Sequence, residues 1–286
     1  MIKLKRDNQT SNMKKLFLLL LFIPLVSCQD VEVRKTYYDS GELRSTATVI
    51  VSSRKQEAVD SVAGNYVDYL KQGEAKFYWK SGELKSTKNY VDGLRQGEEK
   101  EYYESGELRR TGNFVDNLAQ GEWKYYYESG VLGSSSNYVE DLRQGEQKVY
   151  WKSGELKRTV NYVDGLKQEY KEYFRSGELE STSNYVNSKQ LEKKYYFESG
   201  ELELTLNYVN SKLQGEAKFY WESGVLKSTK NYVDGLRQGE EKEYYESGEL
   251  RRTENFVDDL RQGEWKWYYE TGKLRSTGNY VDGIEQ

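Results

Sequence analysis

A Ser-Gly dipeptide, once Thr-Gly, returns through this chain with its glycine at positions 41, 82, 106, 130, 154, 177, 200, 224, 248 and 272. After the first interval the spacing is 24 residues, twice shortened to 23. A fixed period of that size means one supersecondary unit copied in tandem, each copy burying its apolar surface only against its neighbours. Gln72–Arg95 represents the unit. From Glu74 to Lys80 its side chains alternate, with Ala75, Phe77 and Trp79 on one side of a strand and Glu74, Lys76, Tyr78 and Lys80 on the other. Ser81-Gly82 fits a two-residue hairpin loop, where glycine supplies the positive φ. That closure pairs Lys80 with Glu83, Trp79 with Leu84, Tyr78 with Lys85 and Lys76 with Thr87. It gathers Phe77, Trp79, Leu84 and Tyr90 into one apolar-aromatic surface, in a register that a one-residue slip would destroy.

The polar face repeats as a Glu-x-Lys-x-Tyr frame whose tyrosines are Tyr78, Tyr102, Tyr126, Tyr150, Tyr173, Tyr196, Tyr220, Tyr244 and Tyr268. An aromatic residue follows each one, so stacked hairpins place these rings in ladders. The period therefore predicts an all-β chain: tandem hairpins of about 24 residues forming one elongated, twisted antiparallel sheet. Mean hydropathy is −0.95, which alone suits a disordered chain, but 27 tyrosines, six tryptophans and turn signals at fixed offsets point to order.

The run Tyr-Tyr-Glu-Ser-Gly-Glu-Leu-Arg at 102–109, with the following Asn-Phe-Val-Asp and Gln-Gly-Glu-x-Lys at 113–116 and 120–124, resembles the bacterial variant of the MORN repeat. The resemblance covers roughly 35–286. It implies an antiparallel hairpin array acting as an interaction module, and some related proteins carry the label of antitoxin in toxin–antitoxin pairs. The family's entry glycine is missing before Glu169 and Glu192, so the middle departs from the pattern.

Ahead of the repeats, Lys14 and Lys15 precede an apolar core, Leu16–Val26, that is too short to span a bilayer. Leu25-Val26-Ser27-Cys28 resembles a lipobox, which makes 1–27 a lipoprotein signal peptide, Cys28 an acylated N-terminus, and 28–34 a lipidated tether. Residues 35–70 read as a degenerate first repeat whose second strand is interrupted by a 17-residue insert, Ala47–Ala63; the regular array occupies 71–286. Without residues 1–27 the chain keeps 38 basic and 46 acidic residues, a net charge of −8. That balance argues against nucleic acid as a partner. Histidine is absent and Cys28 is the one cysteine, which excludes thiol–imidazole catalysis and the usual zinc sites and implies no cofactor. The expected location is a bacterial cell envelope, with the membrane contacted through Cys28.

Nine near-copies of a Glu/Lys frame suit cross-strand and inter-repeat ion pairs on a solvated face better than one asymmetric catalytic constellation. The chain reads as a non-enzymatic scaffold for a protein partner. Exposed aromatic rows leave a second reading, a glycan or choline-like ligand, and the hairpins are similar to choline-binding repeats in Tyr/Trp content. Gln72–Gly130 and Gln214–Gly272 are one 59-residue block written twice, differing at seven places. The divergent centre, Val131–Leu213, is where a partner needing one register finds side chains of its own, with Val149, Trp151, Tyr170, Phe174, Tyr195 and Phe197 as candidates. The lipobox reading predicts that Cys28→Ser releases the protein from membranes or leaves its precursor uncleaved. Fractionation and intact mass check it, and unchanged values contradict it.

Overall fold

The computed structural model describes residues 30–55 and 65–286; the expected signal peptide, the acylated Cys28 and positions 56–63 of the expected insert lie outside them. The described chain is all-β, with 26 antiparallel strands in one open sheet. Its first members are β1 (Asp30–Tyr37), β2 (Leu43–Lys55), β3 (Asn65–Tyr78), β4 (Leu84–Val91), β5 (Leu94–Arg95) and β6 (Gly97–Tyr102). Every strand makes its substantial contacts with its neighbours in the sheet, so the molecule is a meander one layer thick.

Two expectations at the N-terminal end change. Asp30–Arg34, read as tether, form the first half of β1 and pair with Ala47–Val51. The insert does not interrupt the second strand. It lengthens it: Val49–Lys55 continue β2 and pair with Asn65–Lys71 of β3.

The turns also exchange roles. At Ser81-Gly82 the Trp79 carbonyl accepts the Gly82 N–H at 3.0 Å, and the Trp79 N–H donates to the Glu83 carbonyl at 2.8 Å. The loop therefore has three residues, Lys80-Ser81-Gly82, with Gly82 at φ 94° as the left-handed member. Lys76 pairs with Thr87 as expected, but Tyr78 faces Leu84, because Lys85 bulges out of the ladder. The two-residue turn sits instead at Asp92-Gly93, where φ is 48° and 81°, the mirror-image turn that matches strand twist. Alternation in β3 alone could not show this, since a bulge and a three-residue loop together leave the outer register unchanged.

Three sets of hydrogen bonds run between consecutive repeats. On the rim of two-residue turns, Gln72 Oε1 accepts the Asp92 N–H at 2.8 Å, and the same clasp recurs from Gln96, Gln120, Gln144, Gln214, Gln238 and Gln262 at 2.7–3.1 Å. Beside it, the second turn residue donates to the backbone of the preceding link, as in Gly93 N–H to the Lys71 carbonyl at 2.9 Å. On the opposite rim the hydroxyls of Tyr38, Tyr103, Tyr127 and Tyr245 donate to the carbonyls of Tyr78, Tyr126, Tyr150 and Tyr268 at 2.7–2.8 Å.

All three fail together at the two shortened links, 164–169 and 187–192. Each lacks its entry glycine, Gln168 Nε2 donates to its own neighbour Leu166, and the rim residues that follow, Phe174 and Phe197, carry no hydroxyl. Among the described residues the turns Asn187-Ser188 and Asn210-Ser211 receive neither rim bond. Continuous strands, Leu166–Tyr173 and Lys189–Tyr196, compensate with extra ladder pairs such as Asn161–Glu169 and Asn184–Glu192. Each tyrosine lock is worth about 1 kcal/mol, the net value of a hydrogen bond. Tyr127→Phe is therefore expected to speed amide exchange in Gly121–Tyr126 and Gly145–Tyr150 while exchange beyond Gly239 stays unchanged; native-state hydrogen exchange reads both.

Candidate functional site

The two faces of the sheet are built differently. One carries the Glu-x-Lys-x-Tyr frame. In all nine copies the lysine ammonium reaches the glutamate two residues before it on the same strand, at 2.7–3.3 Å, from Lys76–Glu74 to Lys266–Glu264. The expected cross-strand and inter-repeat pairing is replaced by this pairing within strands, because residues two apart share a face and the ladder sets neutral residues across from the frame, Thr87 opposite Lys76 and Asn89 opposite Glu74. Such solvated pairs contribute about 0–1 kcal/mol each. The frame tyrosines, Tyr78 through Tyr268, are half-buried beside them. This face is constant and its charges are paired.

The other face changes from repeat to repeat. At the position of Ala75 stand Glu99, Trp123, Gln147, Tyr170, Lys193, Ala217, Glu241 and Trp265; at that of Phe77 stand Glu101, Tyr125, Val149, Glu172, Tyr195, Phe219, Glu243 and Trp267. The expectation of one apolar-aromatic surface holds around Ala75, Phe77 and Tyr90 and is overturned at the next repeat. There Glu99, 2% exposed, lies beneath Lys88, Arg95 and Arg110. Arg110 reaches Glu99 at 3.0 Å and Glu101 at 2.5 Å, and Arg95 covers the Phe114 ring at 3.8 Å. With no second layer of backbone, long cationic side chains supply the cover. Glu99, Arg110 and their later counterparts Glu241 and Arg252 went unread in the sequence, although strand alternation places all four on this face.

The later copy of the block is not equivalent. Gly112 leaves room for Trp123: a Cβ there would sit 2.1 Å from the indole, which also meets Phe114 edge-on at 5.1 Å. Glu254 fills the matching place in the second block, and Trp265 lies over Gly278 on its other side instead. Arg252 then touches three carboxylates, Glu243 at 2.9 Å, Glu254 at 3.4 Å and Glu241 at 3.7 Å.

The six candidate residues of the centre divide between places. Val149, Tyr170 and Tyr195 stand on the variable face; Trp151, Phe174 and Phe197 stand at the rim of three-residue loops. Val149 and Trp151 line one depression together with Tyr127, Lys157 and Arg175. Tyr170 donates to Glu172 at 2.5 Å, and burial followed by that bond pushes its pKa up to about 12. Lys167 lies over Tyr170 and Tyr185, and Lys193 over Tyr195. A further row was legible and missed: the residues flanking each two-residue turn form exposed aliphatic pairs, Val91–Leu94, Val115–Leu118, Val139–Leu142 and Val163–Leu166. In the centre lysines replace the second members, Lys189 and Lys212.

Nine segments, 71–92, 95–116, 119–140, 143–164, 169–187, 189–210, 213–234, 237–258 and 261–282, match the MORN repeat variant. The chain belongs to the MORN repeat variant family. Its MORN repeats begin and end near the two-residue turns, so each family unit spans a link and the one hairpin closed by a three-residue loop. No curated protein matches the chain. Among solved structures, 49% of it aligns with 25% of a chain titled "Crystal structure of GtfA/B complex bound to UDP and GlcNAc", at 16% identity and a TM-score of 0.18. It aligns over 85% of its length with 15% of a TcdB2-TccC3 chain, at 13% identity and the same TM-score of 0.18. It also aligns over 75% with 90% of a porin-like protein from Bacteroides uniformis, at 12% identity and 0.18. The chain thus spans a quarter or less of the first two. Likeness at that level says nothing of what these MORN repeats bind.

Proposed function

We propose that the MORN array is a non-catalytic scaffold, held at a bacterial envelope through an acylated Cys28, that binds another protein along its variable face. The contrast between the faces carries this reading. A surface whose charges are paired identically nine times offers a partner no register, whereas the face that changes at every repeat does. Tyrosine, tryptophan and arginine, abundant on that face, are also the residues that anchor protein interfaces. A toxin or effector held inactive falls within this class of partner, in keeping with the antitoxin label some related proteins bear.

A choline-like ligand is the weaker reading on physical grounds. Quaternary ammonium groups need open aromatic faces, and the rim rings are covered by the chain's own cations. Lys85 lies 4.3 Å from the Trp79 ring, Lys157 4.1 Å from Trp151 and Lys227 4.4 Å from Trp221.

The centre is where recognition is placed, since the flanking blocks nearly repeat each other. Replacing Val131–Leu213 with repeats copied from Gln72–Gly130, at unchanged length, is expected to abolish capture of the partner from its native envelope. Undiminished capture would show that the array binds through its common surface.

A further inference from the structure

One position on the rim and two on the variable face break their pattern at the same place. The residue after the strand-opening leucine is a cation that lies over the rim aromatic in most repeats: Lys85 on Trp79, Arg109 on Tyr103, Lys157 on Trp151, Lys227 on Trp221 and Arg251 on Tyr245. Beside Tyr127 that residue is Gly133, so no side chain of its own hairpin covers the ring. One strand pair further on, the arginine that Glu99 and Glu101 hold in Arg110, and Glu241 and Glu243 hold in Arg252, is Arg158. Its matching residues on the preceding strand are Gln147 and Val149. Glu172, opposite it on the following strand, is engaged by Tyr170 at 2.5 Å, so Arg158 lies beside the Tyr170 hydroxyl, with no glutamate on its preceding strand.

These departures adjoin one another. Gly133, Gln147, Val149, Arg158 and Tyr127 line a cavity of about 320 Å³, and Tyr127 and Val149 are shared with a second of about 510 Å³. The second holds Trp151, Lys152, Lys157 and Arg175, with Arg175 5.0 Å from the Trp151 ring. Neither cavity is lined by a carboxylate; the nearby Glu155 is turned to Ser153, which with its own backbone N–H lowers its pKa. In an acidic chain, this stretch of surface presents four cations and one uncovered tyrosine.

We propose that the twin cavities around Tyr127 and Arg158 are a docking site for an acidic peptide segment of the partner, whose carboxylates meet Arg158 and Arg175 and whose aromatic or aliphatic side chain covers Tyr127. This deepens the scaffold reading and rests on it. Charge complementarity selects the occupant: a half-buried guanidinium that lacks the two glutamates of its counterparts gains most from a carboxylate delivered from outside. Several separated cations fit a run of Glu or Asp better than a single anion. Tyrosine, serine and arginine lining is the composition of protein-recognising surfaces.

The missing carboxylates can be restored directly: Gln147→Glu with Val149→Glu rebuilds the pair that holds Arg110. Binding of a fluorescently labelled peptide of alternating Glu and Tyr to the full chain is measured by polarisation, with a Lys/Tyr peptide and an oligogalacturonate as competitors. The restored variant is expected to weaken the acidic peptide by roughly tenfold or more, the loss of a charge-assisted hydrogen bond. Arg158→Ala does the same, while Lys100→Ala on the constant face leaves binding unchanged. Equal binding by the restored variant overturns the site, as does displacement by oligogalacturonate of a peptide that binds no better than its Lys/Tyr counterpart. If the peptide fails but replacement of Val131–Leu213 still abolishes protein capture, the scaffold reading stands and this site falls. If the peptide binds as expected and that replacement leaves capture intact, the scaffold reading's placement in the centre falls instead.

Discussion

A sheet one layer thick has no opposing layer to bury, and every other property of this molecule follows from how it manages without one. Among the described residues the buried apolar side chains are few: Val49, Ala75, Phe114, Trp123, Val160, Ala217 and Phe256. Cohesion therefore rests on what passes between consecutive repeats, and the glutamine clasp shows how. Gln72 extends from a bulged link to the N–H of Asp92, whose positive φ turns that group away from the ladder. Loss of one glycine from the link removes the bulge, and the clasp goes with it. The period of 24 and the clasp depend on each other, which is why the two intervals of 23 residues lose both. Stability in such an array is a sum of neighbour terms, so local weakness stays local.

The fold class, the hairpin unit and the two-face division were legible because strand alternation and turn residues repeat with so little noise. The particular turns were not. Ser-Gly and Asp-Gly both suit short loops, and only the bulge at Lys85, invisible to alternation, decides that Asp92-Gly93 is the two-residue turn. The nine Glu–Lys pairs were legible as pairs but not as pairs within one strand, since a frame repeated on every strand fits either arrangement. At Glu99 the reading from Gln72–Arg95 misled: a single unit with Ala75 and Phe77 suggested an apolar face that its neighbour does not share. For the candidate residues, Val149 and Trp151 meet in one depression, whereas Arg158 and Gly133 were passed over. Their meaning lies in departing from other repeats, not in their own chemistry.

Seven differences between the duplicated blocks suffice to alter the variable face. Gly112 against Glu254 moves a tryptophan from one neighbouring strand to the other and gives Arg252 a third carboxylate. The constant face around both blocks is unchanged, with Lys100–Glu98 and Lys242–Glu240 each at 2.9 Å. A repeat array can thus vary one side of its strands freely while the other side, together with the rim bonds, maintains the fold. Under the scaffold proposal, recognition and folding fall to different residues of the same strand.

That separation is tested most directly by hydroxyl-radical footprinting of the full chain, alone and with the protein it captures from its native envelope. Oxidation of Tyr125, Tyr138, Tyr162 and Tyr170 on the variable face is expected to fall on binding. Oxidation of the frame tyrosines Tyr150 and Tyr173 is expected to stay as it was. Protection of the frame tyrosines with the variable face still reactive would contradict the account.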